Sequence, residues 1–146
     1  MLPSGSYLEY LNIINNIMVV IHPLSNFLSN LKNHTKANRT KMYHPHSKFV
    51  FNFTQLLLEQ GYIRSFNVDD DKVNIIIYLR EKSETHYIND IKIISRPGYR
   101  NYVKSSDLGM FRKDGLTIFS SSNHGLMTLP KALKLNCGGE YICFIK

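Results

Sequence analysis

The apolar period of this chain changes once, near Gly61, from a helical repeat to strict alternation. Before that point Leu24, Phe27, Leu28 and Leu31 recur at i, i+3, i+4 and i+7, which predicts an amphipathic helix over residues 24–33. Pro23 suits its first turn. Val50, Phe53 and Leu57, with Phe49 and Leu56 beside them, predict a second helix with Ser47 as N-cap and Gly61 just past its end. After that point Val73, Ile75, Ile77 and Leu79 alternate with Ile76 and Tyr78, the pattern of a strand. Residues 62–68 are β-prone, and the acidic run Asp69-Asp70-Asp71 makes the connection, so the two segments form a hairpin. Helices followed by strands, rather than alternating with them, indicate an α+β fold.

A third strand is expected at 87–95, then a turn at Pro97-Gly98 and short strands at 99–104, 115–119 and 126–128. Pro130 opens a short helix to Leu135, Cys137-Gly138-Gly139 breaks it, and 140–146 is a final strand. The expected organisation is two small α/β domains after an extension. The extension covers 1–21, a helix-helix-strand module 22–87, and a mostly β module with one short helix 88–146. Within the extension Ile14, Ile17, Met18 and Ile21 have helical spacing, weakened by Asn12, Asn15 and Asn16. Residues 32–43 are polar, without an apolar period, and read as a connection.

The chain has 146 residues, 18 Lys+Arg against 11 Asp+Glu, and a net charge of +7, so its partners are expected to be polyanions. The excess is local. Residues 22–48 hold Lys32, Lys36, Arg39, Lys41 and Lys48 and no acid, and 91–113 hold six bases against Asp107 alone. Interleaved Tyr43, Tyr99 and Tyr102 fit phosphate contact combined with stacking. The longest apolar run, Ile17 to Ile21, is five residues, whereas a membrane span needs about 20, so no membrane partner is expected. Two cysteines without a Cys-x-x-Cys pair exclude a disulfide scaffold and fit a reducing compartment. No basic region precedes the first apolar stretch, so no secretory signal is read.

Catalytic readings fail on chemistry. His44-Pro45-His46 lacks nearby carboxylate or thiolate ligands, so no metal is expected. Ser120, Ser121 and Ser122 stand beside His124, but a nucleophile needs a base aimed by a third group, and residues this close on one loop rarely reach that geometry. There is no phosphate-binding loop and no dinucleotide fingerprint, so neither cofactor, small-molecule substrate nor enzymatic activity is expected. Cys143 alternates into the last strand as a core residue. The hydroxyl cluster has a better use: a compact neutral loop enters a groove and bonds sugar hydroxyls, phosphates and base edges.

Five ordered segments resemble one family. Residues 115–128 (GLTIFSSSNHGLMT) and 135–145 (LNCGGEYICFI) look like the C-terminal half of the small-subunit ribosomal protein eight family. Residues 94–102 (ISRPGYRNY), 59–66 (EQGYIRSF) and 22–28 (HPLSNFL) resemble its upstream motifs, and together the segments cover 22–146. The family's serine triplet falls on Ser120–Ser122 when aligned from Gly115 and on Ser121–Asn123 when aligned from Gly125. The first is favoured because Leu116 and Ile118 then keep their alternation. His124 stands where the family commonly has Lys or Arg, and His22 where it has Asp.

The resemblance implies a structural constituent of the small ribosomal subunit. It would bind the central domain of the subunit's RNA early in assembly, beside neighbouring ribosomal proteins. The implied RNA contacts are Ser120, Ser121 and Ser122, with Asn123 and His124 on the same loop, Arg100 and Tyr102 on the preceding strand, and Glu140 at the Gly-Gly-Glu turn. Ser47 and Lys48 match the start of the family's second helix and Lys32 the end of its first. The basic segment adds Lys36 and Arg39 as phosphate contacts. The alternative is a free translational regulator using the same surface on messenger RNA. Asn, Ile and Lys supply 41 of the 146 residues, the usage of an AT-rich gene, and this points to a mitochondrial ribosome ahead of a plastid or bacterial one.

Overall fold

The computed structural model describes residues 23–96, 98–111 and 114–146. The expectations for residues 1–21, His22, Pro97, Arg112 and Lys113 therefore lie outside the described residues.

Helix α1 (Pro23–Lys36) buries Phe27, Leu28 and Leu31, the stripe its spacing predicted. It runs beyond the expected end at 33. Thr35 is buried there, its hydroxyl donates to the Lys32 carbonyl at 2.9 Å, and the Tyr87 hydroxyl donates to the Thr35 carbonyl at 2.9 Å. Lys36 in the last turn complements the negative end of the helix. Strand β1 (Lys41–Pro45) follows, where the sequence indicated only a connection. Its signal is weak because Met42 is its one fully buried residue, the minimum for an edge strand with one wet face. Helix α2 (Lys48–Glu59) is capped as expected: the Ser47 hydroxyl accepts from the Val50 N–H at 3.2 Å. Gly61 follows at φ +81°, a conformation that suits glycine. Strands β2 (Ile63–Val68) and β3 (Asn74–Leu79) form the expected hairpin, and the antiparallel order is β1-β3-β2.

Strand β4 (Ile91–Ile93) is shorter than the expected 87–95. Strand β5 (Tyr102–Val103) and a 3-10 turn (Ser105–Phe111) lead to β6 (Leu116–Ser121), β7 (Gly125–Thr128), helix α3 (Leu129–Leu135) and β8 (Gly139–Ile145). The order is β4-β8-β6-β7, with β5 also on β8, all antiparallel. Strand β4 stops early because the Ile94 and Ser95 N–H groups both donate to the Ile142 carbonyl, at 3.0 and 3.2 Å. Ile142 is the extra residue where the β6–β8 register shifts, a bulge that ends regular pairing. The architecture is mixed α+β, with helices α1 and α2 in the N-terminal part and a mostly β C-terminal part.

The main core draws on both parts: Phe27, Phe53 and Ile77 share one cluster with Ile91, Ile118 and Ile145. A second cluster gathers Phe119, Met127, Ala132 and Tyr141, with the Phe111 ring edge-on to Tyr141 at 5.1 Å. Cys143 is fully buried, and burial pushes its thiol pKa far up, as a core residue requires.

His44 is part of this packing. Its ring meets Phe27 edge-on at 5.2 Å, and its Nδ1 accepts from the Asn30 amide at 3.1 Å, which fits a neutral imidazole. Burial holds its pKa below the usual 6.5. The native state then binds fewer protons than the unfolded chain, so the stability is full above the unfolded value and falls as pH drops through the window below it. Urea unfolding at about pH 7.5 and about pH 5 should show a loss in the wild type that His44→Gln reduces, since glutamine accepts the same bond without titrating.

Candidate nucleic-acid interface

The serine segment is built by the β6–β7 hairpin. Ser121 pairs with Gly125, leaving Ser122, Asn123 and His124 as the turn. Ser120 and Ser121 therefore end a strand, where the sequence reading had all three serines on a loop. Backbone pairing forces this, because Ser120 faces Leu126 on one edge and Glu140 on the other. The three hydroxyls are not equivalent. Ser121 Oγ accepts from the Asn123 N–H at 3.2 Å and lies 3.4 Å from Cys137 Sγ. Among the described residues, the Ser120 and Ser122 hydroxyls have no protein partner.

Strand β8 sets the rest of the site. Glu140 pairs with Ser120 on one edge and with Tyr102 on the other. The segment before Tyr102 is pinned to β8 twice: Ser95 Oγ donates to the Tyr141 carbonyl at 2.6 Å and accepts from the Asn101 N–H at 3.1 Å. The Tyr141 N–H donates in turn to the Asn101 carbonyl at 2.7 Å. Arg96 and Tyr99 exchange backbone bonds of 2.9 Å across a tight turn, and Gly98 supplies its φ of +85°. This placement leaves Tyr102 68% exposed, and Arg100 Nε lies 4.0 Å from Glu140.

A groove of about 490 Å³ opens between this edge and helix α2. Ser120, Ser121, Ser122, Tyr102 and Glu140 line one side; Lys48, Phe49 and Asn52 of α2 line the other. Lys48 begins the helix, so its ammonium adds to the positive end of the helix dipole. The groove thus unites residues some seventy positions apart that the sequence had singled out separately. It also contains two that the sequence reading did not assign. Phe49, which the apolar pattern assigns to the helix's buried face, is 47% exposed, and Asn52 belongs to no sequence motif. Their signal was the i, i+3 spacing from Phe49 through Asn52, offset from the buried stripe of Val50, Phe53 and Leu57.

Other expected contacts lie elsewhere. The Ser47 hydroxyl is engaged in capping α2. Lys32 reaches Asp90 at 3.6 Å. Lys36 and Arg39 are exposed at the end of α1 and after it, outside the lining of this groove. Asn123 is exposed at the hairpin tip, and His124 lines a second cleft of about 270 Å³ with Glu59 and Lys131. His46 packs against the Phe51 ring at 6.1 Å. Among the described residues, no three His, Cys, Asp or Glu converge on a point that would hold a metal ion, and no helix is long and apolar enough to cross a membrane.

The groove therefore offers uncharged hydroxyls, an amide, one carboxylate acceptor, two aromatic rings and one cation. That set suits a ligand with ribose hydroxyls, flat bases and phosphates. Its shape depends on Gly139, where an added Cβ would lie 2.5 Å from the Ser120 carbonyl oxygen. Gly139→Ala should cost about 1–3 kcal/mol in urea unfolding, the range of an overpacked backbone contact.

Residues 22–145 match the family described as ribosomal protein S8. The chain is also similar to proteins named small ribosomal subunit protein uS8. That of Persephonella marina is 29% identical over 136 residues, covering 87% of this chain and 99% of the relative. That of Mycoplasmopsis synoviae is 34% identical over 131 residues, covering 88% and 99%. That of Flavobacterium psychrophilum is 36% identical over 128 residues, covering 84% and 96%.

Proposed function

Because this chain belongs to the ribosomal protein S8 family, we propose that the groove beside the serine hairpin is where it holds the RNA of the small ribosomal subunit. The protein is a structural component of the ribosome rather than an enzyme. Its RNA target is an irregular helix of the central domain. The observation that carries this reading is the convergence of Lys48 with Ser120, Ser122, Tyr102 and Glu140 on one groove. Lys48 meets phosphate at the start of α2, Ser120 and Ser122 bond sugar and base edges, and Tyr102 offers an exposed ring for stacking. Ser121 contributes mainly by holding the hairpin tip through Asn123. The lining by Ser120–Ser122, without Asn123, supports the alignment that starts from Gly115.

The host ribosome is proposed to be mitochondrial, supported by the Asn-, Ile- and Lys-rich composition. Co-sedimentation of the protein with mitochondrial small subunits tests this, and its recovery only with plastid or cytoplasmic ribosomes would exclude it.

Filter binding to a central-domain transcript tests the groove. Ser120→Ala with Ser122→Ala should weaken binding by about three- to tenfold, the worth of one or two hydrogen bonds, without altering stability. Lys48→Ala should reduce the salt dependence by about one phosphate contact. Wild-type affinity in both variants would refute the assignment.

A further inference from the structure

The three-stranded sheet has one face against the helices and one face toward solvent. Met42, Ile75, Ile77 and Leu79 point inward and are buried. Alternation puts Lys41, Tyr43, Ile76 and Tyr78 on the outer face, with Ser65 and Asn67 of β2 beside them. Lys41 stands directly opposite Tyr78 in register, and Tyr43 opposite Ile76. The Lys41 ammonium lies 5.2 Å from the Tyr43 ring centroid and 5.8 Å from that of Tyr78. Tyr43 is 55% exposed.

We infer that this outer sheet face is a second RNA surface, one that takes an unpaired single strand. Its rings stack on bases, its ammonium meets phosphate, and its Ser and Asn side chains meet base edges and sugars, the chemistry by which open sheets hold single-stranded RNA.

Charge supports RNA over an apolar or basic partner. None of the outward residues of the three strands is acidic, and the exposed Lys36 and Arg39 lie just before Lys41 without an ion pair among the described residues. The nearest acids beyond the strand end, Glu81 and Glu84, are already engaged by Arg64 and Arg80. The Asp69-Asp70-Asp71 tip is at the other end, next to Pro45 and Asn74 rather than Lys41. This face is separate from the groove, because α2 contacts β2 on one side and β7 on another and so lies between them. It also gives Lys36 and Arg39, which do not line the groove, a phosphate backbone to meet.

The test uses the full chain and a fluorescein-labelled oligouridylate of about ten nucleotides, read by anisotropy and by ultraviolet crosslinking. Lys41→Ala and Tyr43→Ala, both at exposed positions, should each weaken binding about tenfold at an unchanged unfolding midpoint. The wild-type crosslink should map to the peptide containing Tyr43. Ser120→Ala with Ser122→Ala should leave this probe unaffected while weakening the central-domain transcript. Equal probe affinity in the sheet variants, or a crosslink in the groove, overturns the inference. It is equally overturned if the sheet variants bind the probe normally but fail to recruit a neighbouring protein into reconstituted subunits. Failure of the serine variants to affect the transcript would instead count against the groove and leave this face standing.

Discussion

The pairing of β8 on both of its edges is the constraint on which the rest of the structure depends. Along one edge it carries β6 from Leu116 to Ser120; along the other it carries β4 near its end and β5 near its start. Glu140 is fixed between Ser120 and Tyr102 by the backbone ladders on both of its edges, with Arg100 Nε 4.0 Å from its carboxylate. Such a frame positions the neutral Ser120 and Tyr102 through backbone ladders, which are less sensitive to salt than surface charges are. Adjacent residues on opposite faces of β6 serve two clusters, Ile118 the main core and Phe119 the second. The main core in turn holds α2, and α2 brings Lys48 to the groove.

Under the proposed function, this arrangement divides the work of RNA binding. The net charge of +7 draws the chain toward a polyanion. The hydroxyls carry no charge and act only at short range, where geometry decides. Lys48 is the cation that the groove itself contains, so most of the basic excess is available to act elsewhere on the surface.

Legibility followed the strength of periodicity. Helix α2 and the β2–β3 hairpin were readable because five or more apolar residues marked each, and Ser47 and Gly61 bounded the helix chemically. Strand β1 was hidden, since one buried residue, Met42, does not make a pattern. The end of β4 was set by a bulge in a strand some fifty residues away, which no local window contains. At the site, the serines and Tyr102 were legible through family resemblance and composition. Phe49 was not, because an apolar residue next to a helix stripe reads as core, and only the placement of β6 and β7 shows that it faces an open groove. Lys32 illustrates the opposite case: its charge was legible, but its use by Asp90 depended on tertiary contact.

The most direct measurement is directed hydroxyl-radical cleavage from the hairpin tip. A Ser122→Cys variant carries the iron chelate; Cys137 is replaced by Ser, and Cys143 is left in place because it is fully buried. Assembled into small subunits, this probe should cut the ribosomal RNA within the central domain, on the two strands flanking one irregular helix. Cleavage confined to another domain, or none in assembled subunits, would contradict the account.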